Sequence, residues 1–172
     1  MKGFRAIVAA FRAQNLLAQG EFDSARAVLE DMYLRYGTET QSPLTLRVYA
    51  HINLLYATCL QRCGEKAAAI RAYSFVLDQI RNGMRWPGRP CRPDELKYIR
   101  CFIRHALIAL SSDPDDPAFA LALSVASDCC QFDWKQMAAS RMRMFPLEAE
   151  QIRHNESIAK RWIRRKGPPV VH

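Results

Sequence analysis

Apolar residues along this chain recur at intervals of three and four, and almost nowhere at two. That spacing puts them on one face of α-helices rather than on one face of a strand. The stretch "LLAQGEFDSARAVLEDMYLRYG", residues 16–37, shows how the helices are joined. One helix ends at Gly20, which takes a positive φ without a Cβ clash. Glu21 and Asp23 then fall in the first turn of the next helix, where carboxylates oppose the positive end of its dipole. Ala25, Val28, Leu29 and Met32 form its buried stripe, and Ala25 is small enough to let a partner helix come close.

The arrangement returns in "LLYATCLQRCGEKAAAIRAYSFVLDQI", residues 54–80, where Gly64 follows Gly20 by 44 residues. Ala57 and Leu60 precede this glycine as Ala13 and Leu16 precede the first. Ala69, Tyr73 and Val76 follow it at the offsets of Ala25, Leu29 and Met32. Between the two pairs, Ser42 and Pro43 read as an N-cap and first helical position. "NGMRWPGRPCRP", residues 82–93, carries two glycines and three prolines and reads as a loop. "DELKYIRCFIRHALIAL", residues 94–110, is helical again until "SSDPDDP" breaks it. Asp116 is placed to cap a helix that starts at Pro117 and runs to about Cys130. Asp133 to Gln136 reads as a capping box for a helix to about Met144. Pro146 opens a last helix that ends at Lys166, stopped by Gly167, Pro168 and Pro169. The pattern thus predicts an all-α chain of about eight helices.

Ala13, Leu16, Gly20, Phe22, Ala25 and Leu29, then Tyr56, Ala57, Leu60, Gly64, Ala69 and Tyr73, resemble the small and aromatic positions of the tetratricopeptide repeat. The spacing of 44 residues departs from that family's period of about 34, and Lys66 stands where Phe22 supplies an aromatic. The resemblance covers residues 4–81. It implies a right-handed superhelix of antiparallel helix hairpins in one domain, residues 1–172. Its units are 4–36, 43–81 and a degenerate 94–131, closed by capping helices over 133–166. It also implies a non-enzymatic protein–protein adaptor or peptide-binding chaperone without a cofactor, its partner held in a concave groove. Ile7, Ala10, Gln14, Leu17 and Ala18 on the first inner helix, His51, Leu54, Thr58, Gln61 and Arg62 on the second, and Lys97, Arg100 and Arg104 on the third are the candidate lining. Such a lining passes from apolar and polar to basic, which suits an acidic peptide or free carboxylate gripped by guanidinium forks.

Charge sharpens this picture. The net charge is +8, gathered in two segments, 81–104 and 151–172, on a nearly neutral remainder. In "AKRWIRRKG", Lys160, Arg161, Arg164, Arg165 and Lys166 accompany Trp162 on the last helix. That helix can lie on phosphates, which gives the competing reading of a nucleic-acid-associated regulatory factor. It is equally a cationic last turn favoured by the helix dipole, with Trp162 packed inward.

Reactive side chains add little. Cys59 and Cys63, and Cys101 and His105, are i, i+4 pairs whose donor types form a known zinc set. Helically spaced cysteines also serve as core filling, and no metal is expected. The histidines, His51, His105, His154 and His172, fall in no nucleophilic arrangement, and no glycine-rich phosphate cradle or nucleophile elbow occurs. The N-terminal apolar stretch from Ala6 to Phe11 is shorter than a signal peptide requires, and no apolar run reaches the length of a membrane span. A cytoplasmic chain with reduced thiols and no disulfide framework is expected. Docking of its last helix on a neighbour would make it a homo-oligomer.

Overall fold

Gly20 and Gly64 end two helices by the same hydrogen-bonded turn. They do so in a computed structural model that describes residues 2–36, 43–81, 85–86, 89–90, 93–125 and 149–166. Helix α1 (Lys2–Ala18) leads into α2 (Phe22–Tyr36), and α3 (Pro43–Arg62) into α4 (Lys66–Arg81). Gly20 has φ 80° and Gly64 φ 79°. The Gly20 N–H donates to Leu17 O at 3.2 Å and the Glu21 N–H to Leu16 O at 2.9 Å. The Gly64 N–H donates to Gln61 O at 3.2 Å and the Glu65 N–H to Leu60 O at 2.9 Å. This bond pair is a Schellman turn, which satisfies carbonyls that a helix end leaves open. The following helix starts at once. Glu21 O accepts from the Ala25 N–H at 3.0 Å, and Glu65 O from the Ala69 N–H at 2.9 Å.

Burial follows the same offset. Ala13 and Ala57, Ala25 and Ala69, and Leu29 and Tyr73 are all fully buried, so the small residues sit where the paired helices cross. Helix α3 packs on α4 and also receives α1 and α2. Between positions 52 and 60 only Tyr56 and Thr58 keep partial exposure. A helix apolar on every side is a central one, and Ile52, Leu54, Leu55 and Cys59 make α3 so. Arg26 ties the two hairpins together. It donates through Nε to Glu30 Oε1 at 2.6 Å and through Nη1 to the Glu65 carboxylate. Both acids raise its pKa, the hydrogen bond to Glu30 most of all.

Strands β1 (Arg85–Trp86) and β2 (Arg89–Pro90) form a minimal antiparallel ladder, pairing Arg85 with Pro90 and Trp86 with Arg89. It lies within the segment read from sequence as a loop, and β1 packs against α3.

The chain divides into two compact units, Met1–Arg92 and Pro93–His172. In the second, α5 (Pro93–Leu110) packs on both α6 (Pro117–Ser124) and α7 (Ala149–Lys166). Its first hinge uses an aspartate where the first unit uses glycine. Asp116 caps α6, accepting from the Ala118 N–H at 2.9 Å, and Pro117 opens the helix as expected. The other Asp116 oxygen accepts from the Ser112 N–H at 3.0 Å and so closes the turn behind it. Ile99, Ile103, Leu107, Phe119, Ala122 and Ala159 fill the core, and Trp162 meets Phe119 edge-on with ring centroids 4.9 Å apart.

Seven helices stand among the described residues, and the fold is all-α apart from the short ladder. The helix expected over 133–144 with its capping box, Ser42, and Gly167 to Pro169 lie outside those residues, whereas the helix expected to reach about Cys130 already ends at Ser124, where Val125 turns to extended backbone at φ −88° and ψ 128°. None of the described helices is long and apolar enough to cross a membrane.

Candidate partner-binding site

The residues predicted to line a groove do not all face outward. Thr58 is half-buried and its hydroxyl is used internally. Oγ1 donates to Leu54 O at 2.9 Å and lies 3.5 Å from the Tyr73 hydroxyl. Tyr73 in turn donates to Gln61 Oε1 at 2.7 Å, and burial pushes its phenol above the usual range. Thr58 and Gln61 therefore join α3 to α4 rather than present a surface, and Leu54 is buried. Gln14 is half-buried, with its Oε1 enclosed and without a hydrogen-bond partner among the described residues. The side chain of His51 lies outside the described residues. Arg62, at the end of α3, and Arg100, on α5, are exposed, and Lys97 is half-buried. Arg62 belongs to the first unit, Lys97 and Arg100 to the second.

Arg104 corrects the sequence reading outright. It shares a helix face with Lys97 and Arg100, yet it is 3 % exposed. Its Nε donates to Glu156 Oε1 at 3.0 Å and its Nη2 to Glu156 Oε2 at 3.4 Å. Its Nη1 donates to Ala122 O at 3.0 Å and Val125 O at 3.2 Å, the carbonyls that end α6. A guanidinium with its donors committed inside a core does not capture a partner; it fastens α5 to α6 and α7. His105 beside it is also buried, and neither ring nitrogen has a hydrogen-bond partner among the described residues. Burial lowers its pKa; the nearby Glu156 carboxylate opposes that shift and Arg104 adds to it.

Among the described residues the cysteines offer no complete metal set. Cys101 is disulfide-bonded, its other half outside the described residues, so it offers no thiolate to a metal. At this position the structure departs from the expectation of wholly reduced thiols. Cys59 and Cys63 are free. Cys59 donates to Phe22 O at 3.2 Å, and burial, reinforced by the adjacent Cys63, pushes its thiol up to about 12. Such a thiol is inert near neutrality. Among the described residues no three His, Cys, Asp or Glu side chains gather as a metal would need.

On α7 the charges separate cleanly. Ile152, Asn155, Glu156 and Ala159 are buried, while Lys160, Arg161, Arg164 and Arg165 are exposed. Lys166 pairs with Asp115 at 2.8 Å across the surface. The Trp162 ring, half-buried on Phe119, turns toward the core.

The surface that the sequence did not reveal lies on α1. Val8 is 50 % and Phe11 59 % exposed. Beside them a depression of about 330 Å³ opens between α1 and α2, lined by Arg5, Val8, Ala9, Arg12, Val28 and Asp31. Arg5 and Arg12 form no ion pair among the described residues. The available signal was that Val8 and Phe11 fall off the Ala10–Ala13 stripe. No known family, curated protein or solved structure matches the chain.

Proposed function

We propose that this protein is a non-enzymatic protein-binding adaptor whose helix hairpins stack in the manner of tetratricopeptide repeats. The repeated Schellman hinge and its matched alanines support the stacking. The observation that carries the functional reading is the face of α1. Exposed apolar side chains at Val8 and Phe11, bordered by Arg5 and Arg12, which form no ion pair among the described residues, have the makeup of an interface core with a charged rim. Exposed Arg62 and Arg100 extend the preference for acidic partners on each unit. Affinity capture from the cells that make the protein tests this, run in parallel with wild type and with Phe11→Ser/Arg12→Glu. A stoichiometric partner held by wild type and released by the variant is the expected result. Identical captures would refute it.

One observation favours a second reading, nucleic-acid association. Four cations of α7, Lys160, Arg161, Arg164 and Arg165, are exposed together. If they neutralise phosphates, affinity for a short DNA or RNA duplex falls steeply with salt, and Arg164→Ala/Arg165→Ala flattens the slope by about 2. Weak binding with no dependence on these arginines would dismiss it.

A further inference from the structure

Helices α1 and α3 hold equivalent places in the two hairpins, so each residue of α1 has a counterpart 44 positions later. Val8 corresponds to Ile52, Phe11 to Leu55 and Arg12 to Tyr56. On α3 this face is closed, with Ile52 4 % and Leu55 0 % exposed. Helix α2 lies against it. Cys59, one turn after Leu55, donates to Phe22 O at 3.2 Å, and Tyr56, one turn after Ile52, donates to Glu30 Oε1 at 3.4 Å. On α1 the corresponding pair stays open, Val8 50 % and Phe11 59 % exposed. The outermost face of a helical stack is ordinarily polar where it meets water; this one is apolar at its centre.

We propose that this face of α1 binds an acidic amphipathic helix from a partner protein, seated on α1 as α2 is seated on α3. The proposal rests on the protein-binding reading and names the partner's chemistry. Val8 and Phe11 supply the apolar contact that Ile52 and Leu55 supply to α2. Charge selects the rest. Where Tyr56 offers a phenol to Glu30, the equivalent position on α1 offers the guanidinium of Arg12. A carboxylate in the place of Glu30 gains a charge-assisted bond there. Arg5 lies two helical turns earlier on the same side and meets a second carboxylate spaced seven residues from the first. A second copy stacked head to tail would instead present α4. Its counterparts of Phe22, Arg26 and Glu30 are Lys66, Ile70 and Ser74, which bring a cation and no carboxylate.

The test is a selection from a library of monomeric helices randomised on one face, with the full chain as target. The expected binders carry Asp or Glu seven residues apart beside apolar positions. Each then loses at least about tenfold in affinity on Phe11→Ser or on Arg12→Glu, while Arg71→Glu and Arg153→Glu, exposed arginines outside this lining, leave it unchanged. A binder whose acid is changed to Lys regains affinity for Arg12→Glu. Circular-dichroism melts confirm that the variants fold, and Val8→Ser replaces any that does not. Binders without carboxylates, or insensitive to Phe11 and Arg12, overturn this inference and leave protein binding standing. A library that yields no binder at all overturns both. Concentration-dependent self-association abolished by Phe11→Ser assigns the face to a second copy and also overturns the proposal.

Discussion

The Arg104 guanidinium and the Glu156 carboxylate meet edge to edge inside the second unit, Nε on Oε1 and Nη2 on Oε2, across 52 residues of sequence. Removing one partner strands the other charge in the core, where it can neither ionise comfortably nor find water. Arg104→Met is therefore expected to cost about 3–5 kcal/mol, and the α6 carbonyls of Ala122 and Val125 lose their donor as well. Replacing both partners, as Arg104→Met/Glu156→Leu, should recover much of the loss. Urea denaturation of the single and double variants checks both statements.

His105 makes the same unit sensitive to acid. Its folded pKa lies below the ordinary histidine value because it is buried, with Glu156 opposing and Arg104 assisting. The unfolded chain therefore takes up the proton first as pH falls. The stability tied to neutral His105 is present above the unfolded value, about 6.5, and drains away as pH drops through and below it. Above that value it contributes no slope. The slope of unfolding free energy is bounded by about 1.4 kcal/mol per pH unit for one proton. Denaturation midpoints at pH 7.5 and 5.5 should separate in wild type and draw together in His105→Leu.

Gly20 and Gly64 have room for a Cβ, with nothing within 4 Å, but hold φ near 80°. The penalty for alanine is thus conformational rather than steric crowding by neighbours. Gly20→Ala and Gly64→Ala should each destabilise by about 1–2 kcal/mol, and Asn, which tolerates this region, by less. Thermal melts of the two Ala and two Asn variants decide it.

Ala25 and Ala69 are fully buried at equivalent helix crossings. Leucine at either place has no space to occupy and should cost about 1–3 kcal/mol by forcing the paired helices apart. Melting temperatures equal to wild type for both variants would contradict the hairpin packing.

Much of this was legible in the sequence where the cause is local. A glycine at a helix end signals positive φ, an aspartate before proline signals a cap, and alanine at matched offsets signals a close crossing. Gly20, Gly64, Asp116, Ala25 and Ala69 could all be read on those grounds. Arg104 could not. Helical periodicity places it beside Lys97 and Arg100, but the residue that receives it, Glu156, lies far along the chain. The all-round burial of α3 had a trace in its apolar Ile52, Leu54, Leu55 and Cys59, which a single-stripe reading divides between a packed and an open face. Val8 and Phe11 drew no reading from the sequence, and their exposure shows only in the structure. An apolar residue on a helix cannot be told from core until its neighbours are placed, and these two remain half exposed or more.

Because the turns at Gly20 and Gly64 share one geometry, residues 21–64 form a cassette whose two ends are interchangeable. Deleting it in frame would bring Glu65 directly after Gly20, and duplicating it would place Glu21 after Gly64; either junction rebuilds a turn the chain already makes. Shortening or lengthening by this increment needs no newly invented connection, so overall reach is open to variation by simple recombination while each joint stays intact.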